Sequence, residues 1–183
     1  MYRILLFVLL SLAVISCEDD ARSQEYCSGF EPGVVIFGVT SSFSVGEIAQ
    51  LTQENNLHID HIDGAVYESE LPADQVDFMV DHLNTKPYIN NGGFRAVKGG
   101  SVYADHVAGT VRVVCRLSDL TKENYEDWVA TLNLLKLHEQ HSEYKSIVLD
   151  VPVGTEKNWV ESLKDTNGVR WAELSCPALI TPG

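Results

Sequence analysis

The chain is predicted to be an α+β protein made of two successive βαββαβ units. One observation is that segments with alternating apolar residues, typical of strands, are interspersed with segments whose apolar residues recur at helical spacing. The other is that the chain resembles itself when it is shifted by 80 residues. The second half is therefore expected to repeat the fold of the first.

The self-match is strongest over positions 57–83, where six of 27 residues are identical to those 80 positions later. The identical pairs are Leu57 and Leu137, His58 and His138, His61 and His141, Pro72 and Pro152, Val80 and Val160, and Leu83 and Leu163. Similar pairs extend the match without a gap from position 45 to position 89. This spacing predicts an internal duplication.

The first unit is expected to contain, in order, a strand at 34–39, a helix from 45, strands at 57–63 and 67–71 with a turn at Gly64, a helix after Pro72 and a strand from Pro87. Ser44 and Glu47 form a capping-box pattern, which predicts the start of the first helix. Tyr67, Ser69 and Leu71 alternate with acidic residues, as in a strand with one exposed face.

The second unit repeats this order, with strands at 111–117, 137–144, 146–151 and 169–174, a helix with the apolar residues Tyr125, Trp128, Val129 and Leu132, and a helix at 156–164. The order βαββαβ defines the ferredoxin-like split unit. Right-handed crossovers place both helices on one face of its antiparallel sheet. The predicted organisation is a first ferredoxin-like unit at 33–97, a linker at 98–108, a second unit at 109–176 and a tail at 177–183.

The first residues indicate export from the cytoplasm. Arg3 precedes an apolar run over 4–15, too short to span a membrane comfortably, and a small residue, Ser16, precedes Cys17. This pattern resembles the lipobox of bacterial lipoproteins. The resemblance implies that residues 1–16 are a signal peptide, that Cys17 is lipidated, and that residues 17–32 are a flexible tether.

The resemblance also implies an outer-membrane lipoprotein on the periplasmic or cell-surface face. Glu18 and the two aspartates after it are similar to the acidic tag that sends some lipoproteins to the cell surface. A net charge of −13 argues against binding nucleic acid and against direct adsorption to anionic lipid. The lipid is therefore expected to provide the membrane attachment, with an envelope protein as partner.

Three cysteines remain besides Cys17 in an oxidising compartment. Because three is odd, at most one internal disulfide can form. Cys115 lies in an apolar run and is expected to be a buried strand residue. Cys27 and Cys176 flank the folded region, so this pair is favoured, and three free thiols are the alternative.

A His-x-x-His-x-acid pattern occurs twice and is a candidate metal site. His58, His61 and Asp63 correspond to three residues in the second half: His138, His141 and Glu143. Imidazole and carboxylate groups are zinc ligands. On a regular strand, however, His58 would face away from His61. Inherited surface residues are the alternative interpretation.

No nucleophile elbow, phosphate-binding loop or other catalytic motif is present, and no cofactor is expected. Residues 151–173 resemble the end of subtilisin-type propeptides and related protease inhibitors, which inhibit by laying a C-terminal strand into the protease cleft. Trp171, if exposed, would indicate a partner surface. The predicted function is a non-enzymatic protein-binding or accessory module, with a propeptide-like protease inhibitor as its more specific form, and the alternative is a metal-binding protein or metal-dependent enzyme.

Overall fold

The computed structural model describes residues 29–89, 102–107, 110–141 and 144–176. Within these residues it has seven strands and four α-helices. The strands are β1 (Val34–Val39), β2 (His58–Ser69), β3 (Val102–Val107), β4 (Thr110–Ser118), β5 (Leu137–Glu139), β6 (Lys145–Asp150) and β7 (Val169–Leu174). The helices are α1 (Val45–Glu54), α2 (Val76–Asn84), α3 (Lys122–Leu134) and α4 (Glu156–Lys164).

All the strands belong to one antiparallel sheet. Its order is β3-β4-β2-β6-β1-β7, and the short β5 pairs with β2 beyond the end of β6. The predicted α+β class is thereby confirmed.

The two separate tandem units, 33–97 and 109–176, are not confirmed. From the first half of the chain, β1 pairs with β6 and β7 of the second half. From the second half, β4 pairs with β2 of the first half and with β3, which lies in the predicted linker. Strands from both halves therefore alternate in one sheet.

The physical reason lies in β2, which was predicted as two strands separated by a turn. Gly64 has a φ of 81° but sits inside one long strand, where the register shifts between Ile62 and Ala65. The part of β2 before Gly64 pairs with β6 and, at His61 and Ile62, also with β4, and the part after it pairs with β4 and β5. A glycine that deforms a strand without reversing it thus joins the two halves.

The predicted linker at 98–108 contains a strand. Residues 102–107 form β3, which pairs with β4 from Val102 opposite Cys115 to Val107 opposite Thr110. Of the strand predicted from Pro87, the described residues show a bridge between Ile89 and Leu117, and its continuation lies outside them. The edge of the sheet is therefore supplied by a segment whose Gly-rich surroundings suggested a loop.

The core lies on one face of the sheet. Buried residues of all four helices join one apolar cluster with alternate residues of the strands. Its members include Val35, Phe37, Ile48, Ile59, Ile62, Tyr67, Met79, Leu83, Val113, Leu117, Trp128, Ile147, Leu149 and Leu163. The helices therefore cover one face, and no described helix covers the other.

Several predictions fall outside the described residues: the signal peptide at 1–16, Cys17, Cys27, Glu143 and the tail at 177–183. The tether predicted at 17–32 is described only from Gly29. There the Glu31 amide donates to the Ser175 carbonyl at 2.7 Å. The last residues of the predicted tether thus lie beside the end of β7.

Candidate functional site

The face of the sheet without a described helix is called the helix-free face, and five of its residues define its centre: Ile36, Gly38, Ser146, Val148 and Trp171. Gly38 of β1 lies between Trp171 of β7 and Ser146 of β6. In the next row, Ile36 lies opposite Val148. Ile36, Ser146 and Val148 are only half-buried. This face therefore combines small, apolar and aromatic groups within reach of solvent.

Trp171 lies over the backbone of Gly38. A Cβ added to Gly38 would collide with the indole ring, so only glycine permits this approach. The glycine is directly opposite the tryptophan in the sheet, an arrangement in which an aromatic ring covers the bare backbone. Trp171 nevertheless remains 41% exposed. It is a large aromatic group held in a fixed place with part of its surface open.

Arg170 is displaced from the regular strand by a bulge. Gly38 pairs with Trp171, but Val39 pairs with Val169, so Arg170 is an extra residue in β7. Its guanidinium carbon lies 4.2 Å from the centre of the Tyr144 ring, a cation–π contact. Tyr144 immediately precedes β6 and is 66% exposed. We call Tyr144, Arg170 and Trp171 the Tyr–Arg–Trp cluster.

His58, a predicted metal ligand, lies at one end of the helix-free face. Its Nδ1 is 2.8 Å from Asp150 Oδ2, and its Nε2 is 3.5 Å from Asp119 Oδ1. The prediction that His58 faces away from His61 is wrong, because the register shifts between Ile59 and His61. This irregularity returns both imidazoles to the same face.

His61 contacts carboxylates from its own strand. Its Nδ1 is 2.7 Å from Asp60 Oδ2, and its Nε2 is 3.4 Å from Asp63 Oδ2. The other oxygen of Asp63 lies 3.1 Å from Nε of Arg116 on β4. Asp63 is thus shared between a histidine and an arginine.

The histidines of the second half have different partners. Nε2 of His138 is 3.1 Å from Glu70 Oε1, and Nδ1 of His141 is 3.1 Å from the Ser41 carbonyl oxygen. Glu143 lies outside the described residues. Among the residues that are described, no group of three or more His, Cys, Asp or Glu side chains is placed to hold a metal ion. Within these described residues, the structure does not bring the two predicted ligand sets together.

A buried ion pair was missed by the sequence reasoning. The Lys145 side chain is fully buried, and its Nζ lies 2.9 Å from Glu139 Oε1 and donates to the Phe43 carbonyl at 2.9 Å. Both Glu139 oxygens accept from the Val45 amide at 3.1 Å, at the start of α1. The available signal was that Lys145 precedes Ile147 and Leu149 in the alternation that points into the core.

The cysteines differ in state. Cys115 is a free, buried thiol whose pKa is raised to about 12 by burial, so it is not a thiolate nucleophile at neutral pH. Cys176 is disulfide-bonded, and its partner lies outside the described residues. Pairing with Cys27 stays a prediction. The backbone hydrogen bond between Glu31 and Ser175 favours this pairing. It places Glu31, four residues after Cys27, beside Ser175, which directly precedes Cys176.

No family model, curated protein or solved structure matches the chain. In the part of the chain that the structure describes, no helix is both long and apolar enough to cross a bilayer.

Proposed function

We propose that the chain is a lipid-anchored, non-enzymatic module of the bacterial cell envelope that docks another protein through the Tyr–Arg–Trp cluster. The observation that carries this proposal is the exposure on the helix-free face of two large aromatic side chains, Tyr144, which stacks on Arg170, and Trp171, which lies over Gly38. Tyrosine, tryptophan and arginine are the residue types that dominate binding energy at protein interfaces.

The cluster is also ordered before any partner binds. Trp171 rests on the Gly38 backbone, and the guanidinium of Arg170 is stacked on Tyr144. Each long side chain that is ordered only on binding costs about 0.5–1.5 kcal/mol. Side chains already in place avoid much of this cost, which favours a docking role.

The proposed anchor rests on the sequence of residues 1–17. Acyl chains on Cys17 would hold the domain at the outer membrane, because each buried methylene contributes about 0.8 kcal/mol. Mass spectrometry of the mature amino-terminal peptide tests this part of the proposal. An acylated Cys17 is expected, and an unacylated amino terminus contradicts the anchor.

A protease inhibitor is a specific form of the same function. β7 is an edge strand, carries two cluster residues, and leads through Cys176 into the tail at 177–183. A chain leaving an edge strand could enter a protease cleft as an extended segment. Slowed substrate cleavage by subtilisin at micromolar protein supports this form, and unchanged cleavage removes it.

We also propose that the chain is a duplicated ferredoxin-like unit whose copies have exchanged their second halves. β1, α1 and the start of β2 combine with β6, α4 and β7 in the strand order β2-β6-β1-β7. The end of β2, α2 and β3 combine with β4, α3 and β5 in the equivalent order β5-β2-β4-β3. Helices α2 and α4 lie 80 positions apart, as the repeat requires.

Gly64 and Tyr144, also 80 positions apart, support the exchange. A Cβ on Gly64 would collide with the Tyr144 carbonyl oxygen, so the two equivalent points touch. Gly64 and Tyr144 each lie where one copy of the repeat passes from its first half to its second. Contact between equivalent points is expected near a pseudo-twofold axis.

Site-specific photo-crosslinking in intact cells tests the docking function. A photoreactive amino acid at Ser146, across Gly38 from Trp171, is expected to give a discrete cross-linked protein. The same amino acid at Leu134, which is 57% exposed on α3, serves as the control on the helical side. The product at Ser146 should disappear with Trp171→Ala. A product that also forms at Leu134, or survives Trp171→Ala, contradicts the proposal.

A further inference from the structure

We propose that the partner presents a cationic segment, with an arginine or lysine stacked on Trp171 and paired with Glu173. This inference rests on the proposed docking function and specifies the chemistry of the partner. It follows from the position of Glu173, the stacking of Arg170 on Tyr144 and the charge of the chain.

Glu173 lies beside the exposed indole. It pairs with Ile36, and Trp171 pairs with Gly38, so both side chains project from the same face of β7. Residues two apart on a strand are separated by about 7 Å. A guanidinium or ammonium group over the indole can therefore reach the Glu173 carboxylate, and a tryptophan face is the best aromatic surface for a cation.

The arginine that precedes Trp171 already has an aromatic partner within the chain. The guanidinium carbon of Arg170 lies 4.2 Å from the centre of the Tyr144 ring. Arg170 is therefore poorly placed to neutralise Glu173. A cation from the partner fits the remaining aromatic and carboxylate groups.

Carboxylates also surround the adjoining end of the helix-free face. Asp150 and Asp119 flank His58 there, and the Asp119 amide donates to the Asp60 carbonyl at 3.0 Å. The whole chain carries a formal charge of −13. This charge attracts a basic segment over distances of about 10 Å and repels a second copy of the chain. The charge distribution therefore favours a cationic partner over self-association.

Selection from a random dodecapeptide library displayed on phage, against the purified full chain, tests the inference. Recovered peptides are expected to be enriched in arginine or lysine. Binding of the best synthetic peptide, measured by fluorescence anisotropy, should weaken about 3- to 30-fold with Trp171→Ala and with Glu173→Gln. Glu161→Gln removes the same charge from an exposed side chain on α4 and is the matched control. Unchanged affinity is expected for this variant.

The outcomes separate the inference from the function on which it rests. Peptides that require Trp171 but lack basic residues overturn the cationic partner and leave docking at the cluster intact. Peptides that bind Trp171→Ala as well as the parent protein, or no recovered peptides, overturn both. Equal weakening by Glu173→Gln and Glu161→Gln shows binding to overall charge and overturns the proposed site.

Discussion

Glu139 and Lys145 form a largely buried ion pair at the point where two strands and a helix meet. The pair joins β5 and β6, and through the Val45 amide it also holds the start of α1. A charge taken out of water requires a close partner, and here each charge also has a backbone hydrogen-bond partner. The pair therefore fixes how these three elements meet.

Glu139→Ala is expected to lower the free energy of unfolding by about 3–5 kcal/mol, because it leaves the Lys145 ammonium buried without its counter-ion. Glu161→Ala is the control, since its pair with Lys164 is exposed. It should change the stability by about 1 kcal/mol or less. Urea unfolding at neutral pH measures both values, and similar losses in the two variants would show that the buried pair contributes little.

The histidines show how far single residues could be predicted. Their repetition was visible in the sequence, but their partners were not. His58 contacts Asp150 of another strand, and only the irregularity after Ile59 brings it to the face that carries His61. A bulge changes side-chain direction without a reliable sequence signal.

At the level of elements, Gly64 decides the connection between the two halves. It has a positive φ, and its hydrogen faces the Tyr144 carbonyl oxygen. Gly154 also has a positive φ, 90°, but a Cβ there would meet nothing within 4 Å. Substitution of Gly154 would therefore introduce backbone strain alone, whereas substitution of Gly64 would add a steric clash.

Gly64→Ala is expected to destabilise the protein by about 2–5 kcal/mol, since it combines unfavourable φ with a clash inside the sheet. Gly154→Ala should cost only the conformational part, about 1–2 kcal/mol. Thermal and urea unfolding of both variants provide the comparison. Equal losses would mean that the strand adjusts freely around Gly64.

Helices were predicted better than strands. The capping box at Ser44 and Glu47 is confirmed, and α4 spans the predicted Glu156–Lys164. Strand β7 also matches its predicted range. Helix signals are local, because caps and periodicity lie within one segment. The continuity of β2 and the existence of β3 depend on pairing with distant strands, which local patterns do not reveal.

On the scale of the whole molecule, the two halves of the sequence are not independent structural units. Among the described strands, β1 pairs only with strands of the second half, and β4 pairs with β2 of the first half and with β3 of the predicted linker. Their buried residues form one cluster. Neither half can therefore complete its sheet or its core alone.

A specific protease site inserted within 90–101 tests this interdependence. After cleavage, with dithiothreitol present to reduce the disulfide of Cys176 that would otherwise link the fragments, the two fragments are expected to co-elute at the size of the intact chain and to unfold in one transition, because they share one sheet and one core. The uncleaved insertion variant controls for effects of the insertion itself. Fragments that separate, each with native-like circular dichroism, would instead indicate two self-contained units.

The sequence by itself determined the α+β class, the positions of the helices and the repeat of 80 residues, because these depend on local periodicity and on self-comparison. The tertiary structure alone decided which strands pair, that β2 is continuous, that Arg170 stacks on Tyr144 and that Trp171 lies over Gly38. Strand pairing depends on backbone hydrogen bonds between segments far apart in the chain, and many partners can satisfy them. The final pairing is selected by the burial of one common core.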